Sequence, residues 1–209
     1  MVKTVTWDYI DETSFAAETP ETARITAEKF LAIARDSHTE YGDDTSPAAL
    51  YIAAAECFHD ASLPRRAYEA AREAQDAEGE VAPDKRVYLL DALLRTNQQP
   101  EAQKLADTLG KENTQDPMVY SFVGETYAEL HNTEQALDWF DRGIRMMDQL
   151  IDDASDLNLN ELAQLLEDRE LLILGRHAVR EDAGLPADKL DEEALEIFAA
   201  HEEDDDDLL

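Results

Sequence analysis

Small and apolar residues recur along the middle of the chain at helical spacing. Ala67, Ala71 and Ala74 stand four and three apart, as do Ala102, Ala106 and Leu109, and then Ala136, Phe140 and Gly143. Residues at such intervals share one face of an α-helix. Each triplet has an upstream partner pair: Ala55 and Phe58, Leu90 and Leu93, Gly124 and Tyr127. Both sets advance together by 35 and then 34 residues, which marks a repeating supersecondary unit.

Prolines divide this pattern into segments. They fall at 20, 47, 64, 83, 100, 117 and 186, and from Pro47 to Pro117 the intervals are 17, 19, 17 and 17 residues. Proline suits the first turn of a helix and is excluded from its interior. Thr19, Ser46 and Asp116, each just ahead of a proline, are capping residues. The pattern predicts helices near 20–37, 47–61, 64–77, 83–96, 100–112, 117–131 and 133–149. Those from 47 to 149 pair into three hairpins through turns such as "ASLP", "TNQQP" and "LHNT".

The repeat resembles the tetratricopeptide repeat (TPR) family. The likeness is closest over 117–147, where Tyr120, Val123, Gly124, Tyr127, Ala136, Phe140 and Gly143 follow that family's order of large and small residues. Residues 48–82 follow it with Tyr51, Ala54, Ala55, Phe58, Ala67, Ala71 and Ala74. Residues 83–116 depart from it, with Leu90 for a small residue and Arg86 for a bulky one. The resemblance covers about half the chain. It implies an all-α fold: a right-handed α-α superhelix, a TPR-like helical-hairpin solenoid with capping helices.

Glycine inside a helix costs about 1 kcal/mol relative to alanine. Gly124 and Ala136 are expected to mark the points where two helix axes approach, with Tyr127 and Phe140 filling the space beside them.

Four regions follow. Residues 1–46 form an N-terminal arm and capping helix, and "VTWDY" is read as a short strand or extended arm. Residues 47–150 form the three hairpins. Residues 151–200 hold two capping helices, the first carrying a Leu162–Leu165–Leu166–Leu172 stripe and ending near Gly184 and Pro186. Homodimerisation through that stripe is the alternative to capping. The acidic "HEEDDDDLL" at 201–209 is read as a disordered tail.

Charge narrows the partners. The chain carries 49 acids against 18 bases, a formal net charge of −31. Such a surface repels nucleic acid and anionic lipid and favours basic partners. Plain solubility in a salty or acid-rich cytoplasm is the competing explanation of the same acidity. With Cys57 the only cysteine, no internal disulfide can form. "MVKTVTWDYIDE" contains no apolar stretch of signal-peptide length, and no run approaches the roughly 20 residues of a membrane span. A cytoplasmic protein is expected.

Known chemical signatures are missing. The sequence has no phosphate-binding G-x-x-x-x-G-K loop, no G-x-G-x-x-G, no G-x-S-x-G and no H-E-x-x-H. "CFH" at 57–59 offers two metal-ligand types, but neighbours on one helix point in different directions, so Cys57 is read as an inert buried thiol. No catalytic residue, metal or cofactor is expected, and the chain is not read as an enzyme.

Helical-hairpin arrays expose the first helix of each hairpin on a concave face. One column there holds Glu56, Asp91 and Glu125. One turn on come Asp60, Arg95 and Glu129, and one turn earlier Ile52, Val87 and Ser121. The expected partner-binding set is therefore Glu56, Asp60, Asp91, Glu125 and Glu129 over an apolar floor of Ile52 and Val87. Family members that hold a peptide carboxylate use basic or amide side chains on this face. Acids here point instead to a basic peptide or helix, with the chain acting as an interaction scaffold. Two other readings are an acidic nucleic-acid mimic that inhibits a nucleic-acid-binding protein, and an enzyme or metal module with an unrecognised site.

Overall fold

The structure is a computed structural model describing residues 4–112, 114–154 and 158–206, with side chains as far as Ala200. Among the described residues it is all-helical. Ten helices run α1 (Trp7–Phe15), α2 (Pro20–Ala34), α3 (Pro47–Asp60), α4 (Pro64–Asp76), α5 (Lys85–Arg95), α6 (Gln99–Glu112), α7 (Pro117–Glu129), α8 (Thr133–Asp152), α9 (Leu159–Asp182) and α10 (Lys189–Asp206).

The capping chemistry predicted from sequence is present. The side chains of Thr19, Ser46 and Asp116 accept hydrogen bonds from the backbone N–H groups of Thr22, Ala49 and Met118. Pro83 lies two residues ahead of its helix, which Asp84 caps by accepting from the Arg86 N–H. Helix α10 runs to Asp206, through most of the stretch read as a tail; residues 207–209 lie outside the described residues.

The extended-arm reading of the N-terminus is corrected. Among the described residues of this segment only Val5 forms a bridge, to Tyr41. From Trp7 the chain is helical, because the Thr6 hydroxyl caps the first turn at the Tyr9 N–H and Ile10 is buried. A cap and one buried contact outweigh strand-like alternation over five residues.

Each expected hairpin closes through the same backbone device. Ser62, Asn97 and His131 all take left-handed φ, at 57°, 59° and 58°, and are spaced 35 and 34 residues apart, matching the side-chain repeat. The residue after each donates its N–H to the carbonyl of Phe58, Leu93 or Tyr127. Helix-terminal carbonyls are thereby satisfied as the chain reverses.

The chain divides into two compact units, 1–112 and 113–209. In the first, α2, α3, α4, α5 and α6 pack in sequence. The odd-numbered helices α1, α3 and α5 also touch one another in turn. Phe30, Leu50, Phe58 and Ala70 are fully buried there. In the second, α7, α8, α9 and α10 pack in sequence and α7 also meets α9. Its core holds Val123, Phe140, Met147, Leu172 and Ile173.

Close approach explains the helical glycines of the second unit. A Cβ on Gly124 would lie 2.7 Å from the Phe140 ring, and one on Gly175 of α9 would lie 2.5 Å from the same ring. The phenyl group is thus clamped between two glycine surfaces. On Gly143 a Cβ would lie 2.8 Å from the Tyr120 Cβ and 3.0 Å from Leu172. The leucine stripe of α9 is buried at Leu172, half-buried at Leu162 and Leu165, and exposed at Leu166. Only its C-terminal part caps the preceding hairpin.

Candidate partner-binding face

Helices α3 and α5 bring three of the predicted acids together. Glu56 and Asp60 stand one turn apart on α3, both exposed. Across from them on α5, Asp91 is half-buried and engaged on two sides. It accepts from Arg95 Nε at 2.7 Å, and its other oxygen lies 3.7 Å from His59 Nδ1 of α3. The bare acidic column expected at Asp91 is therefore corrected: an Arg95 one turn away neutralises it, as an i, i+4 pair can.

Glu56 sits differently. Its surface reaches solvent, but packed helices displace the water beyond that first layer. Desolvation, reinforced by Asp60 and opposed by His59, raises its carboxyl to about 7. Tyr88 of α5 is raised too, by its burial and then by the Glu56 charge. The face thus carries Glu56, Asp60, Asp91, His59, Tyr88 and Arg95.

The apolar floor is corrected as well. Ile52 and Val87 are 3% and 0% exposed, enclosed by helix packing and closed to a partner, and Ser121 is likewise buried. Glu125 and Glu129 are exposed on α7 of the second unit, where Glu125 accepts from the Ser121 hydroxyl at 2.9 Å.

Sequence reasoning placed Arg95 on this face but not its pairing with Asp91, and missed His59 and Tyr88 as parts of it. The Asp91–Arg95 spacing is a readable signal. The contacts of α5 with His59 and Glu56 are not, since they depend on how α3 and α5 pack.

Cys57 is buried, and burial pushes its thiol up to about 11, with the Ser14 hydroxyl opposing and the charges of Asp60 and Glu56 adding. At neutral pH it is a thiol rather than a nucleophilic thiolate. Among the described residues no three His, Cys, Asp or Glu side chains are grouped to hold a metal ion, and no helix is long and apolar enough to cross a membrane.

Neither family models, nor curated proteins, nor solved structures give a match to this chain. What the geometry defines is an all-helical chain of recurring hairpins with an acidic, partly neutralised face on α3 and α5.

Proposed function

We infer that the chain is a protein–protein interaction scaffold, a TPR-like right-handed superhelix that takes a basic peptide or helix from a partner. The observation that carries this reading is the convergence of Glu56, Asp60 and Asp91 on one face of two touching helices. The 34- and 35-residue recurrence of side chains and turn geometry supports the repeat assignment. Opposite charge speeds encounter with such a partner and orients it. Binding, and not catalysis, is the activity proposed. A cytoplasmic location belongs to the same proposal and rests on the single cysteine, which leaves no internal disulfide to form.

The raised carboxyl of Glu56 gives the test. A carboxylate with a folded pKa of about 7 is half neutral at that pH and gains its charge as pH rises. A lysine-rich peptide without apolar residues is expected to bind more tightly at about pH 8 than at about pH 6, and more weakly as salt screens the charges. Fluorescence anisotropy of the labelled peptide measures this. Glu56→Gln is expected to remove the larger part of the pH response. Equal affinity and equal pH response in wild type and Glu56→Gln count against the face.

A further inference from the structure

We propose a second docking surface, on α10, for an amphipathic basic helix. Leu195 and Phe198 stand three residues apart on α10 and are 57% and 45% exposed. Large apolar side chains at that spacing make an anchor pair for a partner helix, which meets them with its own i, i+3 and i+4 positions.

Phe198 is presented on a built support. Its ring meets the His177 imidazole of α9 edge-on, with centroids 6.1 Å apart. His177 Nδ1 lies 3.1 Å from Asp191 Oδ1. Asp191, only 2% exposed, is itself fixed by Arg180 Nε at 2.9 Å and by the Asp188 backbone N–H at 2.8 Å. That contact restricts the ring before binding, and an anchor with less side-chain freedom to lose favours an interface.

Charge selects the occupant. After Lys189, from Leu190 to Asp207, the sequence has ten acidic residues and neither lysine nor arginine; Asp191 and Glu193 are engaged by Arg180 and Arg169 of α9. Glu192 and Glu196 flank the pair and are exposed. A second copy of this chain would bring its own Glu192 and Glu196 against them. A helix with an apolar stripe bordered by lysine or arginine fits both the anchors and the field. This surface uses none of the residues of the α3–α5 face, and neither proposal requires the other.

The test uses the full chain and two labelled probes of about 20 residues. One is a leucine–lysine peptide patterned as an amphipathic helix, the other its scrambled isomer without a continuous apolar face. Fluorescence anisotropy is followed for wild type, for Leu195→Ala/Phe198→Ala, and for Glu56→Gln/Asp60→Asn. The patterned peptide is expected to bind wild type, and to lose at least about tenfold in affinity on the α10 double variant. The α10-dependent part of its binding should survive in the α3 variant, while the scrambled peptide, which offers charge without an apolar face, loses nothing on the α10 variant and weakens only on the α3 variant. Circular dichroism is expected to be unchanged, because both replaced side chains lie at the surface. Equal binding of the two peptides, no loss on the α10 variant, or no binding at all overturns the proposal. So does a wild-type dimer in sedimentation that Phe198→Ala dissolves, since that gives the surface to a second copy.

Discussion

Phe140→Ala is expected to cost the second unit about 3–5 kcal/mol, the range for truncating a fully buried aromatic. Phe140 is 0% exposed and lies between Gly124 of α7 and Gly175 of α9, so its removal opens a cavity shared by three helices. Trp139, the buried neighbour of Phe140, is a local reporter. Urea unfolding followed by its fluorescence should show the midpoint falling sharply. The reciprocal substitution separates packing from propensity. Gly175→Ala gains about 1 kcal/mol of helix propensity, but forces a Cβ to 2.5 Å from the ring. Overpacking costs about 1–3 kcal/mol, and the ring cannot retreat without meeting Gly124. Net destabilisation is expected, and a gain in stability would remove the close-approach account of these glycines.

Arg176→Met is expected to destabilise the same unit by about 3 kcal/mol, at the bottom of the range for breaking a buried ion pair. Arg176 is 7% exposed. It donates from Nε to Asp141 of α8 at 2.7 Å and from Nη2 to Asp188, just ahead of α10, at 2.7 Å. It therefore ties three parts of the chain together. Asp141 and Asp188 keep over a third of their side-chain surface in water, which softens the loss of their partner. Nearby Asp191 adds an acid dependence. Burial disfavours its charge, but the Asp188 N–H, Arg180 and His177 outweigh burial and hold its carboxyl at about 2. An unfolded aspartate titrates near 3.9. The folded state thus binds fewer protons between those values, so this contribution is complete above about pH 4 and lost as pH falls toward 2. Trp139 fluorescence and far-ultraviolet circular dichroism across that window should show α10 and its neighbours loosening first.

Helix starts at 20, 47 and 117 are legible directly in the amino-acid pattern, because a proline and the capping residue ahead of it are both local signals. Gly124 and its repeat-mate Ala55 reveal the close helix approach, which a larger side chain would block; Leu90 in the same column does not carry that signal. Gly175 escapes such a reading, because it lies outside the repeat and its reason is the far end of the Phe140 ring. A short alternating run hides the N-terminal helix. The candidate face is half legible. A column of acids can be read from spacing, but the burial of Ile52 and Val87 and the Arg95 and His59 contacts of Asp91 come from packing across helices.

The proposed role of the α3–α5 face is to receive a basic partner. An amide-resolved nuclear magnetic resonance titration with the lysine-rich, apolar-free peptide tests it most directly. The account predicts saturable shifts clustered at Glu56, Asp60, Tyr88 and Asp91, lost in Glu56→Gln/Asp60→Asn. Shifts spread evenly over acidic residues throughout the chain, or absent from α3 and α5, would contradict it.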